Sequence, residues 1–151
     1  MQNNYNTARL ILNELSLSDA EFISELVNTP EWIQFIGDRN VRSMEDAIAY
    51  IQKILDNPNV HYWVVRTRDR EILVGIITFI RRDYLDHPDI GFAFLPRHTK
   101  QGYAYEAASA VLNDIKKDSS HSEILATTVK ENKNSIRLLE KLSFRLLKKL
   151  K

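Results

Sequence analysis

The chain has no cysteine among its 151 residues. That absence excludes a thiol nucleophile, a disulfide framework, iron–sulfur ligation and thiolate zinc binding. Excess charge is lacking too, since 21 lysines and arginines face 20 aspartates and glutamates, for a net charge of +1. No global field draws such a protein to nucleic acid or to an anionic membrane, so any phosphate site has to be built locally. Glycine and proline are scarce, four of each, and no linker, repeat, charge block or low-complexity tract divides the chain; residues 1–151 read as one domain. No apolar run approaches the roughly 18 residues of a membrane-spanning helix. The start MQNNYNTARL lacks the charged and apolar regions of a secretory signal, so the expected location is the cytoplasm. What the chain does have is apolar substance, 44% of its residues, enough to bury one sizeable core.

Periodicity divides the chain into elements. Ala8 to Leu15 reads as a first strand, and Ser18-Asp19-Ala20-Glu21 fits a capping box that opens a helix carrying Phe22, Ile23, Leu26 and Val27. Pro30 is expected to stop or redirect that helix. Ser43 caps a second helix from Met44 to about Leu55, in which Ala47, Ile48, Ile51, Ile54 and Leu55 follow helical spacing. The period then drops to two: HYWVVRT and EILVGIITFIRR predict an antiparallel hairpin around Arg68-Asp69-Arg70. Asp89 to Leu95 predicts another strand, and Gly102 introduces a helix that runs to about Lys117 with Ala107, Ala108, Val111, Leu112 and Ile115 on one stripe. Glu123 to Val129 predicts a strand, Asn132 to Leu142 a short helix and Phe144 to Leu150 a last strand. This order calls for an α/β (α+β) fold, a mixed sheet of about six strands with four helices packed on it.

The chemistry concentrates between Asp89 and Ala107, where a strand leads through a basic polar loop into a helix opened by Gly102-Tyr103-Ala104. Unpaired N–H groups in a first helical turn coincide with the positive end of the helix dipole and suit an anion. Neither a Walker A loop nor a dinucleotide fingerprint occurs, and the histidines at 61, 87, 98 and 121 have no metal-ligand spacing. Three blocks follow one another: Asp89-Ile90-Gly91-Phe92; Gln101-Gly102-Tyr103-Ala104 with Glu106-Ala107; and Asn132-Lys133-Asn134-Ser135-Ile136-Arg137 with Leu139-Glu140-Lys141-Leu142. In this order they resemble the GNAT acetyltransferases. Arg9-Leu10-Ile11-Leu12 and Gly37-Asp38-Arg39 are similar to the branch that contains the ribosomal-protein N-terminal acetyltransferases, and the resemblance runs from Ala8 to Phe144.

The resemblance implies an acyl-CoA N-acyltransferase fold and acetyl-coenzyme A as co-substrate, with its pyrophosphate on the amides from about Lys100 to Ala104. Thr99, Gln101, Gly102 and Tyr103 belong to that loop. The pantetheine arm would run beside Phe92, Phe94 and Leu95, in a gap where the strand matching Asp89 to Leu95 splays from that matching Glu123 to Val129. A backbone N–H near Phe92 or Phe94 would polarise the thioester carbonyl. Asn132 would bind the arm, Ser135 would donate toward the coenzyme sulfur, and Asp89 is the expected general base, acting through a water. Among the cations available to the phosphates, Lys100 leads Arg97, His98, Lys133 and Arg137.

Plainer roles stand beside these. Asp89 and Asp86 flank the His87-Pro88 turn, Asn132 or Asn134 caps a helix, and Ser135 is a first-turn residue. Trp32, Phe35, Tyr50, Tyr62, Trp63 and Tyr84 line an acceptor pocket or, for most of them, pack the core. The chain departs from the family pattern at Thr99 (commonly Arg or Gln), at Lys100 (commonly Gly) and at Ser143 (normally Gly), which is expected in a strained turn. The family's usual closing strand is expected to be absent after Leu150, which would leave a sheet edge open to a second copy as a homodimer. The expected activity is direct transfer of acetyl from acetyl-coenzyme A to a primary amine. The competing class is a noncatalytic acyl-coenzyme A sensor or interaction module.

Overall fold

A computed structural model describes residues 1–117, 123–129 and 131–144. The segments of period two form a five-stranded antiparallel sheet in sequential order: β1 Asn4–Asn6, β2 Leu10–Glu14, β3 Val60–Thr67, β4 Leu73–Ile80 and β5 Asp89–Phe94. Five helices accompany it, α1 Ala20–Val27, α2 Pro30–Phe35, α3 Met44–Leu55, α4 Tyr103–Ile115 and α5 Lys133–Lys141, with single 3-10 turns at Leu17–Asp19 and Pro96–His98.

Alternation along the strands sends side chains to two cores, one on each face of the sheet. On one face Leu10, Leu12, Val65, Ile77 and Ile90 meet the Ala107, Ala108, Val111, Leu112 and Ile115 stripe of α4. On the other, Leu15, Val64 and Ile76 meet Ile23 and Leu26 of α1 and Ala47 and Ile51 of α3. Each fully buried Leu or Ile contributes roughly 1.5–3 kcal/mol over its exposed state. These two layers hold the sheet rigidly enough to position a site along its β5 edge.

Four expectations are corrected. Pro30 starts a helix, because Thr29 caps α2 by accepting the Trp32 N–H, and proline occupies the first-turn position that needs no N–H. Among the described residues the helices therefore number five rather than four. The box before α1 lies earlier than expected, with the Ser16 N–H donating to Asp19 Oδ2 at 2.9 Å. Strand β1 was not anticipated: Tyr5 donates its hydroxyl proton to Asp114 Oδ2 at 2.7 Å, its ring meets Trp63 edge-on at 5.7 Å, and Trp63 Nε1 donates to the Gln2 carbonyl at 3.1 Å. Tertiary contacts, not local pattern, make this strand.

The fourth correction matters most. Residues 123–129 do not form a sixth strand but touch the sheet through one parallel bridge, Asp89 to Leu125. There the Ile90 N–H donates to the Leu125 carbonyl, and the Leu125 N–H to the Pro88 carbonyl, both at 2.9 Å. Of the expected last strand, residues 145–150 lie outside the described residues.

Helix α5 ends as a Schellman motif, with the Ser143 N–H on the Glu140 carbonyl and the Phe144 N–H on the Leu139 carbonyl, both at 2.9 Å. Ser143 takes the left-handed position at φ 74°, where a Cβ costs about 1 kcal/mol. Ser143→Gly should stabilise the protein by about 1 kcal/mol and raise Tm by ~3 °C in a thermal melt, with unchanged circular dichroism.

Candidate active site

Because Ile90 turns its N–H to Leu125, strand alternation turns the N–H and C=O of Phe92 and Phe94 to the same edge. Beyond the single bridge, these groups make no hydrogen bond to a described residue. Asp89, Gly91 and Ala93 face β4 instead, in register with Ile80, Thr78 and Ile76. The β4 and β5 strands approach closely because two glycines allow it. A Cβ on Gly75 would stand 2.5 Å from the Phe94 ring, and one on Gly91 would stand 2.6 Å from Thr78 Oγ1.

After β5 the chain turns sharply into α4. Lys100 and Gly102 are both left-handed, at φ 63° and 82°. Gly102 caps the helix without a side chain, and the N–H groups of Tyr103, Ala104 and Tyr105 bond no described residue. Arg9 ties this turn to the start of β2. Its Nε pairs with Glu106 Oε1 at 2.7 Å, its Nη1 donates to the Gln101 carbonyl at 2.9 Å, and its guanidinium lies 4.6 Å from the Tyr103 ring centre. The Thr7 hydroxyl and the Arg9 backbone N–H complete the Glu106 partners. Burial raises the Glu106 pKa, but the hydrogen bonds from Thr7 and Arg9 together outweigh it and hold the carboxyl below its ordinary value.

The β5 edge, this turn, α2 and α5 enclose a cleft of about 390 Å³. Among the residues singled out from the sequence, Phe92, Phe94, Thr99, Lys100, Gly102, Tyr103, Ala104, Asn132 and Ser135 line it, as does His98. Asn132 spends its Oδ1 as the cap of α5, accepting the Ser135 N–H at 3.2 Å. The Ser135 hydroxyl has no partner among the described residues and is available as a donor. Burial first, and Arg97 second, push the His98 pKa below its ordinary value.

Other candidates lie elsewhere. Leu95 is 1% exposed and packs in the α1/α3 core. Arg97 pairs with Glu25 at 2.7 Å, Arg137 reaches Asn134, and Gln101 lies outside the lining. Asp89 is no loop carboxylate: its side chain, 6% exposed, opens β5 and pairs with Arg82 Nε at 3.0 Å. Burial pushes its pKa up while Arg82 acts against the rise. It does not line the cleft. Of the aromatics, Trp32 and Phe35 line the cleft, Trp63 is core, Tyr50 and Tyr62 share a hydroxyl contact at 3.3 Å outside it, and Tyr84 is exposed. Sequence reasoning missed Glu31 and Ile36 of the α2 wall. The available signal was Thr29-Pro30-Glu31, a cap, a first-turn proline and a first-turn acid, which marks a helix start.

A strand edge with free amide groups leading to a helix N-terminus with free N–H groups matches an amide-rich arm ending in a pyrophosphate. The family model for the acetyltransferase (GNAT) domain matches residues 9–145. The chain belongs to the GNAT acetyltransferase family. Members are enzymes that take their acetyl group from acetyl-coenzyme A, and this one is an acetyl-CoA-dependent N-acetyltransferase. It is 31% identical to the N-acetyltransferase YnaD of Bacillus subtilis (strain 168) over 139 residues, 92% of this chain and 81% of YnaD. The crystal structure of a GNAT-family acetyltransferase from Bacillus anthracis superposes with TM-score 0.79 at 28% identity, covering 94% of this chain and 83% of that one. RimL, a ribosomal L7/L12 α-N-protein acetyltransferase, shares the fold at TM-score 0.74 and 13% identity, over 89% of this chain and 76% of its own.

Two ion pairs give separate tests in this GNAT enzyme. The lowered Glu106 pKa means that its stabilisation is present above the ordinary carboxylate range and is lost as pH falls through the native value. Glu106→Gln should therefore cost about 1 kcal/mol at pH 7 in urea unfolding, a gap that closes as the pH falls from the ordinary carboxylate range through the lowered native value. Arg82→Leu leaves a buried carboxylate unpaired and should cost about 2 kcal/mol at pH 7, most of it recovered in the Arg82→Leu/Asp89→Asn double variant.

Proposed function

We propose that this GNAT acetyltransferase moves acetyl directly from acetyl-coenzyme A to a primary amine, a protein N-terminus or a small-molecule amine, within a ternary complex. One observation carries the proposal: the free amide edge at Phe92 and Phe94 and the free N–H groups at Tyr103 to Tyr105 belong to one continuous cleft. Direct transfer needs no nucleophilic side chain, which agrees with a chain without cysteine.

The roles follow from what each group has to give. Tyr103, Ala104 and Tyr105 offer three N–H donors and the positive end of α4 to the pyrophosphate, with Lys100 beside them. The N–H of Phe92 or Phe94 donates to the thioester oxygen as negative charge develops there. The Ser135 hydroxyl donates to the departing sulfur, and the Asn132 amide holds the arm. The amine has to attack unprotonated; an α-amino group, with a pKa of about 7.7–8.0, meets that condition far more easily than a lysine side chain at about 10.4. Asp89, bound to Arg82 on the strand flank, takes part only by relay through water.

Calorimetric titration with acetyl-coenzyme A should show micromolar binding that Gly102→Glu abolishes without unfolding, because the new carboxylate meets the phosphates at a φ that only glycine adopts freely. Ser135→Ala should lower kcat about tenfold while the acetyl-coenzyme A Kd moves less than twofold. Absence of binding by folded protein overturns the proposal. Binding without turnover on any amine points to the acyl-coenzyme A sensor instead.

A further inference from the structure

The charges that line the cleft sit on different elements. Among its lining residues the fixed charges are Lys100 on the turn before α4, Lys141 on α5 and Glu31 on α2. Glu31 is exposed and pairs with no described residue. Around it the wall is apolar: Trp32 is 4% exposed, Phe35 is half-buried, and Ile36 leaves 43% of its surface open. An isoleucine this exposed on a cleft wall, beside a free carboxylate, is matched by a ligand with an apolar body and a cationic head.

We propose that the α2 wall selects amphipathic primary amines that carry no acid group beside the ammonium, with Glu31 as the residue that sets this specificity. The inference rests on the coenzyme reading above, since the coenzyme's phosphates claim the α4 N-terminus with Lys100, and Glu31, which repels phosphate, is left to the second substrate. Glu31 attracts the ammonium as it enters. An acceptor carboxylate placed there would face Glu31 at close range, while Lys100 is already engaged with phosphate charge and the Lys141 ammonium lies over the Tyr105 ring, 4.5 Å from its centre. Trp32, Phe35 and Ile36 then hold the apolar body by exclusion of water.

The test compares phenethylamine with phenylalanine as acceptors for the full-length enzyme, which differ in one carboxylate. The wild type should prefer phenethylamine at least tenfold in kcat/KM. In Glu31→Gln that preference should shrink about five- to tenfold through acceptor KM, and Glu31→Asp should restore much of it. Differences in acceptor basicity cancel when the two enzymes are compared. The acetyl-coenzyme A Kd, measured by calorimetry on the same preparations, should not change. An unchanged preference in Glu31→Gln, or equal use of both acceptors by the wild type, overturns the proposal. So does a wild type that binds acetyl-coenzyme A and acetylates neither compound, a result that leaves the coenzyme half of the site standing. A wild type that fails to bind acetyl-coenzyme A removes the coenzyme reading itself.

Discussion

A β-strand whose neighbour leaves it after one hydrogen-bonded contact must find other partners for the polar groups it turns to the gap. In this protein that strand is β5, and the parting occurs just beyond the bridge between Asp89 and Leu125. Buried N–H and C=O groups cannot be abandoned without a cost of about 1–3 kcal/mol each, so the gap has to hold water or a ligand rich in amides. The cleft, the placement of Phe92 and Phe94 along it and the approach to α4 all depend on this one interrupted pairing. The ion pair of buried Asp89 with half-buried Arg82 sits at the root of the parting, where it anchors the first residue of β5.

Charge in this molecule is organised locally. The chain as a whole is nearly neutral, yet the cleft carries two lysines, on the α4 turn and on α5, and one glutamate, on α2. The α4 N-terminus is kept open by a glycine cap that brings no side chain of its own, and it is braced by the Arg9–Glu106 pair. Backbone strain accompanies this arrangement. Lys100 adopts a left-handed conformation, as Gly102 does two residues later, and a lysine there trades conformational ease for a cation beside the helix N-terminus. At Ser143 the same conformation ends α5 in its Schellman turn.

Several features were legible because they depend on neighbours in sequence. The α3 cap at Ser43, the α4 stripe and the β3/β4 hairpin each follow from spacing or from a residue type at one position, and the strained turn expected at Ser143 follows from the glycine that the family pattern places there. Others were not. Pro30 suits either side of a helix boundary, and the Thr29 hydroxyl decides between them by capping α2. Strand β1 has no alternating pattern and exists because Tyr5 and Gln2 reach Asp114 and Trp63. Asp89 reads from the sequence as a general base or a turn carboxylate, and its burial follows only from the pairing of β5 with β4 and the nearness of Arg82.

Sequence alone therefore determined the family, the strands β2 to β5 and the helix that presents free N–H groups after Gly102, since these rest on periodicity, capping and short motifs; that the sheet carries a core on each face rather than one core emerged from the structure. Tertiary structure alone decided where β5 loses its partner, which of the predicted residues share one cleft, and that Glu31 stands free on its wall. Those facts arise from contacts between segments far apart in the chain, and the spacing of residues along a sequence does not encode the distance between such segments.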